Sequence, residues 1–264
     1  MDVGGYVIPV CSVFTALLWG YHNHPNVRAK EYYFWRCADT LWNSDEEREK
    51  LFEKNPWSEL IIRECITNRY LAVGGAASST KSHTLAGYGI ISWLAAPAHT
   101  AVLMTSTSLG MARKRIWGSV IDLLSAIDEP LPLAIRDSIG EANYVDPSGK
   151  IHGNRGLSLI AAERSRTREA VGRIIGTKAK RLILIGDELG ELSPALTSGA
   201  ISNLSINPQF EYKGLSNPAS RFDAFGEWAT PKNGWESVNV ETDDEWDTKW
   251  GGKYIRLDGE RSPN

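Results

Sequence analysis

Two short runs carry the residue types of phosphoryl-transfer chemistry. The first is Gly74-Gly75-Ala76-Ala77-Ser78-Ser79-Thr80-Lys81-Ser82. The second is Asp187-Glu188, which closes the apolar run Leu182-Ile183-Leu184-Ile185-Gly186. Small residues let backbone N–H groups face phosphate oxygens, and a helix starting there adds the positive end of its dipole. Lys81 would reach the β- and γ-phosphates, and Ser82 would hold Mg2+. Asp187 would stand near the same Mg2+, and Glu188 would orient or deprotonate an attacking water. The first run departs from the pattern GxxxxGK[ST]: counted from Gly75, Thr80 stands in the place of the second glycine. If that position needs a positive φ, a β-branched residue is costly there. A small-residue turn with an incidental lysine and a strand end with solvated acids are the plainer readings. The two runs together weigh against both.

Such chemistry needs a sheet that brings the two runs to one edge. Tyr70-Leu71-Ala72-Val73 reads as a buried strand ahead of the loop, and Lys81 to Leu94 as the helix behind it. Strands over Ala101–Met104, Leu157–Ala161, Leu182–Ile185 and Phe210–Lys213 follow. They alternate with helices over Leu109–Ala126, Arg166–Ile175 and Pro194–Leu204. That alternation predicts an α/β fold with a mostly parallel sheet flanked by helices, whose ligands gather beyond the carboxyl ends of the strands. Asp146-Pro147-Ser148-Gly149 predicts a surface hairpin inserted in the sheet within 141–152.

Residues 1–68 read as a helical, aromatic lead-in packed on a core spanning 69–264. Helices are expected over Val27–Trp42, over Asp45–Lys54, and over Trp57–Thr67 with Asn55 as cap and Pro56 at its start. The tail from Pro231 on, with Trp235, Trp246 and Trp250, reads as an irregular packed cover.

Composition sets the bounds. The 264 residues are 42% hydrophobic and 23% charged, enough for one large domain. A net charge of −3 means that any nucleic-acid contact comes from local basic patches. Cys11, Cys37 and Cys65 form no CxxC and no Cys/His cluster, so reduced thiols in an intracellular protein are expected. His22, His24, His83, His99 and His152 show no ligand spacing. The apolar stretch Val7 to Trp19 is too short to span a bilayer, so no membrane partner is expected.

Several stretches, in order, resemble the ATPase portion of phage terminase large subunits. Gly74 to His83 resembles that family's deviant phosphate loop. Ser106-Thr107 with Arg113 and Arg115-Ile116-Trp117 resembles its next strand and helix. Gly156-Leu157-Ser158, then Gly176 through Arg181, resembles the approach to its acidic pair. Ser216-Asn217-Pro218 with Arg221-Phe222-Asp223 and Phe225-Gly226 resembles its coupling region. Arg256-Leu257-Asp258-Gly259 and Ser262-Pro263-Asn264 resemble its end. The resemblance spans about residues 57 to 264.

It implies a P-loop NTPase of the additional-strand, catalytic-glutamate type: a motor that hydrolyses ATP with Mg2+ and drives double-stranded DNA into a procapsid. It implies that Gly75 to Ser82 bind phosphate, that Ser82 and Asp187 hold Mg2+, and that Glu188 is the catalytic carboxylate. Ser216 and Asn217 would sense the γ-phosphate; on the residues alone they read as a plain turn. Trp57 and Arg63 would meet the base, though a core tryptophan is an equal reading.

These motors act as rings, so a homo-oligomeric ring, a pentamer, is expected. Portal protein and a small terminase subunit would be its partners, in the host cytoplasm and transiently docked on the procapsid. A basic residue from a neighbour completes each site in such a ring. Arg173, Lys178 and Arg181 are the candidates, within a stretch of seven basic and two acidic residues over 163–181. Others there, and Arg113, Lys114 and Arg115, could touch DNA phosphates or simply face solvent. The family's C-terminal nuclease domain is not expected within these residues. A non-hydrolysing scaffold with a degenerate loop, or another translocase or helicase-like ATPase, is the alternative.

Overall fold

The computed structural model describes residues 12–44, 50–76 and 80–259. Three helices come first: α1 (Ser12–Asn23), α2 (Val27–Trp42) and α3 (Pro56–Thr67). Local chemistry sets their ends. The Asn26 side chain caps α2 by accepting from Ala29 N. Asn55 and Ser58 form a reciprocal capping box around Pro56 at the start of α3. The expected helix over 45–54 lies partly outside the described residues, and 50–54 are not helical.

The remainder alternates: β1 (Tyr70–Gly75), α4 (Lys81–Leu94), β2 (Thr100–Ser106), α5 (Leu109–Lys114), α6 (Ile116–Ser125), β3 (Leu133–Arg136), β4 (Glu141–Val145), β5 (Ile151–Ala161), α7 (Thr167–Gly176), β6 (Arg181–Gly186), α8 (Pro194–Leu204), β7 (Phe210–Ser216), α9 (Ala224–Ala229), β8 (Glu245–Asp247) and β9 (Lys253–Leu257). The sheet runs β3-β4-β5-β2-β6-β7-β1-β9-β8. Its central strands β5, β2, β6, β7, β1 and β9 are parallel, with antiparallel neighbours at either edge.

Side chains alternate across this sheet. On β6, Ile183 and Ile185 face α1–α4 and α6, whereas Leu182 and Leu184 face α7–α9. Phe14, Phe34, Trp35 and Phe52 belong to the same apolar cluster as Leu71 and Val73 of β1. No described helix is long and apolar enough to cross a membrane. Cys37 and Cys65 are free and buried.

Three expectations are corrected. The helix over Leu109–Ala126 is two helices, broken at Arg115 where ψ turns to −106°. The glycine at 118 belongs to the break: a Cβ there would stand 2.8 Å from Arg113 O. The tail read as irregular contains β9, parallel to β1, with β8 beside it. The Asp146–Gly149 turn is present, but its second arm continues as β5 into the centre of the sheet, beside β2.

Candidate nucleotide-binding site

β1, β6 and β7 are adjacent and parallel, so Gly75, Gly186 and Ser216 end at one edge of the sheet. Gly75 has no room for a side chain, since a Cβ would stand 2.9 Å from Leu257 Cβ on β9. Ala76 and Thr80 bound the loop; Ala77, Ser78 and Ser79 lie outside the described residues. Thr80 takes φ 56° and ψ 6°, so the threonine adopts the left-handed backbone that glycine serves elsewhere. α4 begins at the next residue.

Lys81 is buried, and its ammonium donates to Gly75 O at 2.7 Å and Ala76 O at 2.6 Å. Burial lowers its pKa, and the charges of Glu188 and Asp187 oppose the shift. Ser82 Oγ donates to Asp187 Oδ1 at 2.8 Å. Asp187 is 1% exposed and its carboxyl is pushed up to about 6. Burial is the main cause; the Ser82 bond pulls the other way, and the neighbouring Glu188 adds to the rise. Asp187 Oδ2 has no hydrogen-bond partner, an expensive condition for a buried carboxylate oxygen.

Glu188 sits at φ 49°, the second non-glycine residue with positive φ among those described. Its carboxylate meets Arg115 at 3.3 Å, from the break between α5 and α6. Such strain in neighbouring loops is typical of functional sites. Ser216, buried at the end of β7, accepts from Gly190 N at 3.2 Å and so ties β7 to the turn behind the acidic pair. Asn217 is exposed.

A divalent cation fits the residues present. An orphaned carboxylate oxygen beside a serine hydroxyl is a hard-oxygen donor set. No cluster of three or more Asp, Glu, His or Cys residues stands ready to cage a metal among the described residues. A Mg2+ held by few protein ligands and by phosphates needs none.

The other predicted residues have different company. Trp57 is buried in the core, and Arg63 pairs with Glu31 of α2 at 3.2 Å. Neither hydrogen-bonds or ion-pairs with the loop among the described residues. Arg181 opens β6, at the opposite edge of the sheet, and is half-buried against Glu211 at 2.9 Å. The trans-acting role suggested for it by the basic run would require this pairing to be exchanged. Arg173 and Lys178 are exposed at that same edge. The break that brings Arg115 onto Glu188 is the feature sequence reasoning missed; the basic triplet 113–115 was its only signal.

No protein-family model matches the sequence, and no curated protein matches it. Solved structures do. The ATPase domain of the Thermus phage P74-26 large terminase has TM-score 0.51 at 15% identity, over 67% of this chain and 69% of that one. A point mutant of that domain gives TM-score 0.51 at 16% identity over the same shares. The N-terminal domain of the bacteriophage phi29 DNA packaging ATPase matches 80% of this chain and 97% of its own at TM-score 0.48 and 13% identity. The fold assignment rests on the first two. The chain has the P-loop NTPase fold of terminase ATPase domains, with the mostly parallel sheet expected from its sequence.

Proposed function

We propose that this chain is the ATP-hydrolysing motor of a viral DNA-packaging terminase, and that it drives double-stranded DNA into a procapsid. The observation that supports this best is the Ser82–Asp187 hydrogen bond. It puts the hydroxyl of the phosphate loop and the carboxylate of the acidic strand at one point, as nucleotide hydrolysis by this fold requires.

On this reading Lys81 exchanges the Gly75 and Ala76 carbonyls for β- and γ-phosphate oxygens. Ser82 and Asp187 would hold Mg2+, which when bound would supply charge that neutralises the phosphates. Glu188 accepts the proton of a water whose oxygen bonds to the γ-phosphorus. The bond to the β,γ-bridging oxygen breaks, and ADP leaves with that electron pair. Ser216, tied to Gly190, relays the state of the acidic turn to the segment 217–223. In a pentameric ring an exposed Arg173 or Lys178 would serve the neighbouring site. Portal protein and a small terminase subunit are the proposed partners on the procapsid.

The left-handed Thr80 favours a second reading, a scaffold whose loop no longer hydrolyses. Mg-ATP binding, followed by tryptophan fluorescence in the native chain and in Lys81→Ala, tests whether the loop holds nucleotide, and hydrolysis by the assembled protein separates the motor from a scaffold that only binds. Binding that the variant weakens at least about tenfold supports the motor. Absence of binding in both proteins moves the scaffold ahead.

A further inference from the structure

A cavity of about 540 Å³ lies at the edge of the sheet where β1, β6 and β7 begin. It is walled by the ends of α1 and α3, by α2, and by Tyr88 of α4. Strand β6 separates it from Asp187, a distance of roughly 20 Å at the usual rise per residue. It is therefore not part of the nucleotide site.

Its chemistry is one-sided. Lys30, Arg69 and Arg181 line it, and Glu211 is its one carboxylate among the described residues. That carboxylate is already committed. It takes Arg181 at 2.9 Å, Lys213 at 3.3 Å and the Tyr88 hydroxyl at 2.6 Å. Two of these partners are cations, so the one carboxylate of the lining is spent while three cations line the cavity. Arg69 is fixed by Phe210 O at 2.6 Å and by the carbonyls of Ser205 and Asn207, and Lys30 by His22 O at 3.2 Å. Those carbonyls orient the cations without neutralising them. The excess is felt locally: burial first, and then Arg181, lower the pKa of both His22 and Lys30. Partly buried positive charge without a counter-charge is costly, and an anion relieves it.

We propose that this cavity is a second anion site, which binds a small phosphorylated molecule of about mononucleotide size independently of the phosphate loop. The volume falls in the range of small-molecule sites. The Arg181 fork is already on Glu211, with Nη1 on Ser92 O, so the two guanidinium groups attract an anion by charge, and Lys30 adds a point charge. A recess closed by helix ends on one side and strand starts on the other suits a small ligand.

The test uses inorganic pyrophosphate, titrated calorimetrically into the full chain carrying Lys81→Ala, in metal-free buffer. That background weakens the nucleotide loop, so the result does not depend on the motor reading. Saturable binding is expected, weakened at least about tenfold when Lys30→Glu is added. Lys30→Gln, a milder change, serves if the charge reversal unfolds the protein. AMP should displace the probe. Absence of saturable binding, or an affinity unmoved by the Lys30 variants, would overturn the proposal. Displacement by a short DNA duplex as effective as by AMP would overturn the small-molecule ligand and leave a DNA-phosphate site.

Discussion

Ser82 Oγ and Asp187 Oδ1 stand 2.8 Å apart across 105 residues of sequence. One belongs to the first turn of α4 and the other follows the last residue of β6. The contact is possible because β7 alone separates β1 from β6 in the sheet. Ser82→Ala removes the donor and leaves a second orphaned oxygen on Asp187. We expect Mg-ATP affinity to fall by about tenfold or more, with metal-free ATP binding less affected. Equal loss with and without Mg2+ would count against the metal role.

On the proposed function, Glu188 acts on the water rather than on the metal. Glu188→Gln should keep Mg-ATP binding and reduce hydrolysis by at least about a hundredfold, the ordinary contribution of a general base. Because the proposed motor is a ring in which a neighbour would complete the site, hydrolysis is measured on the assembled protein. An active Glu188→Gln protein would sink the assignment.

Arg115 tests whether its contact with Glu188 is functional. Both side chains are about a third exposed, so the ion pair stabilises the fold by less than about 1 kcal/mol. Arg115→Ala should therefore leave the melting temperature within a few degrees of native. Turnover should fall at least about tenfold, because the carboxylate loses its orienting partner. A large loss of stability with unchanged turnover would make Arg115 structural.

The site was legible where its signals were local. The small-residue loop after a buried strand, the lysine and the acidic pair needed only their immediate neighbours to be read. The parts that escaped depend on distant partners. β9 is a five-residue strand whose place is set by pairing with β1, far upstream. The run 163–181 reads as one basic face, yet Arg181 turns inward to a glutamate 30 residues downstream. No proline marks the break at Arg115, where 109–126 otherwise keeps a helical pattern. Even Thr80 was legible only as a conditional cost, because the sign of its φ is set by the loop as a whole.

Glu211 gives a stability prediction with a definite sign. Burial alone would raise its carboxyl, but Arg181, and then Lys213 and Tyr88, hold it down at about 2. Its folded pKa lies below the ordinary carboxylate value. The stabilisation is therefore complete above about pH 4.5 and lost as the pH falls toward 2. Glu211→Gln removes it at neutral pH and leaves the half-buried Arg181 and the buried Lys213 without their counter-charge. Breaking such a pair costs about 3 kcal/mol or more, a fall in melting temperature of roughly 10 °C for a chain of this size. The variant's deficit should shrink on acidification through that window, because the native protein then loses the same charge. A deficit that stays constant from pH 7 down to 3 would show that packing, not charge, holds Glu211 in place.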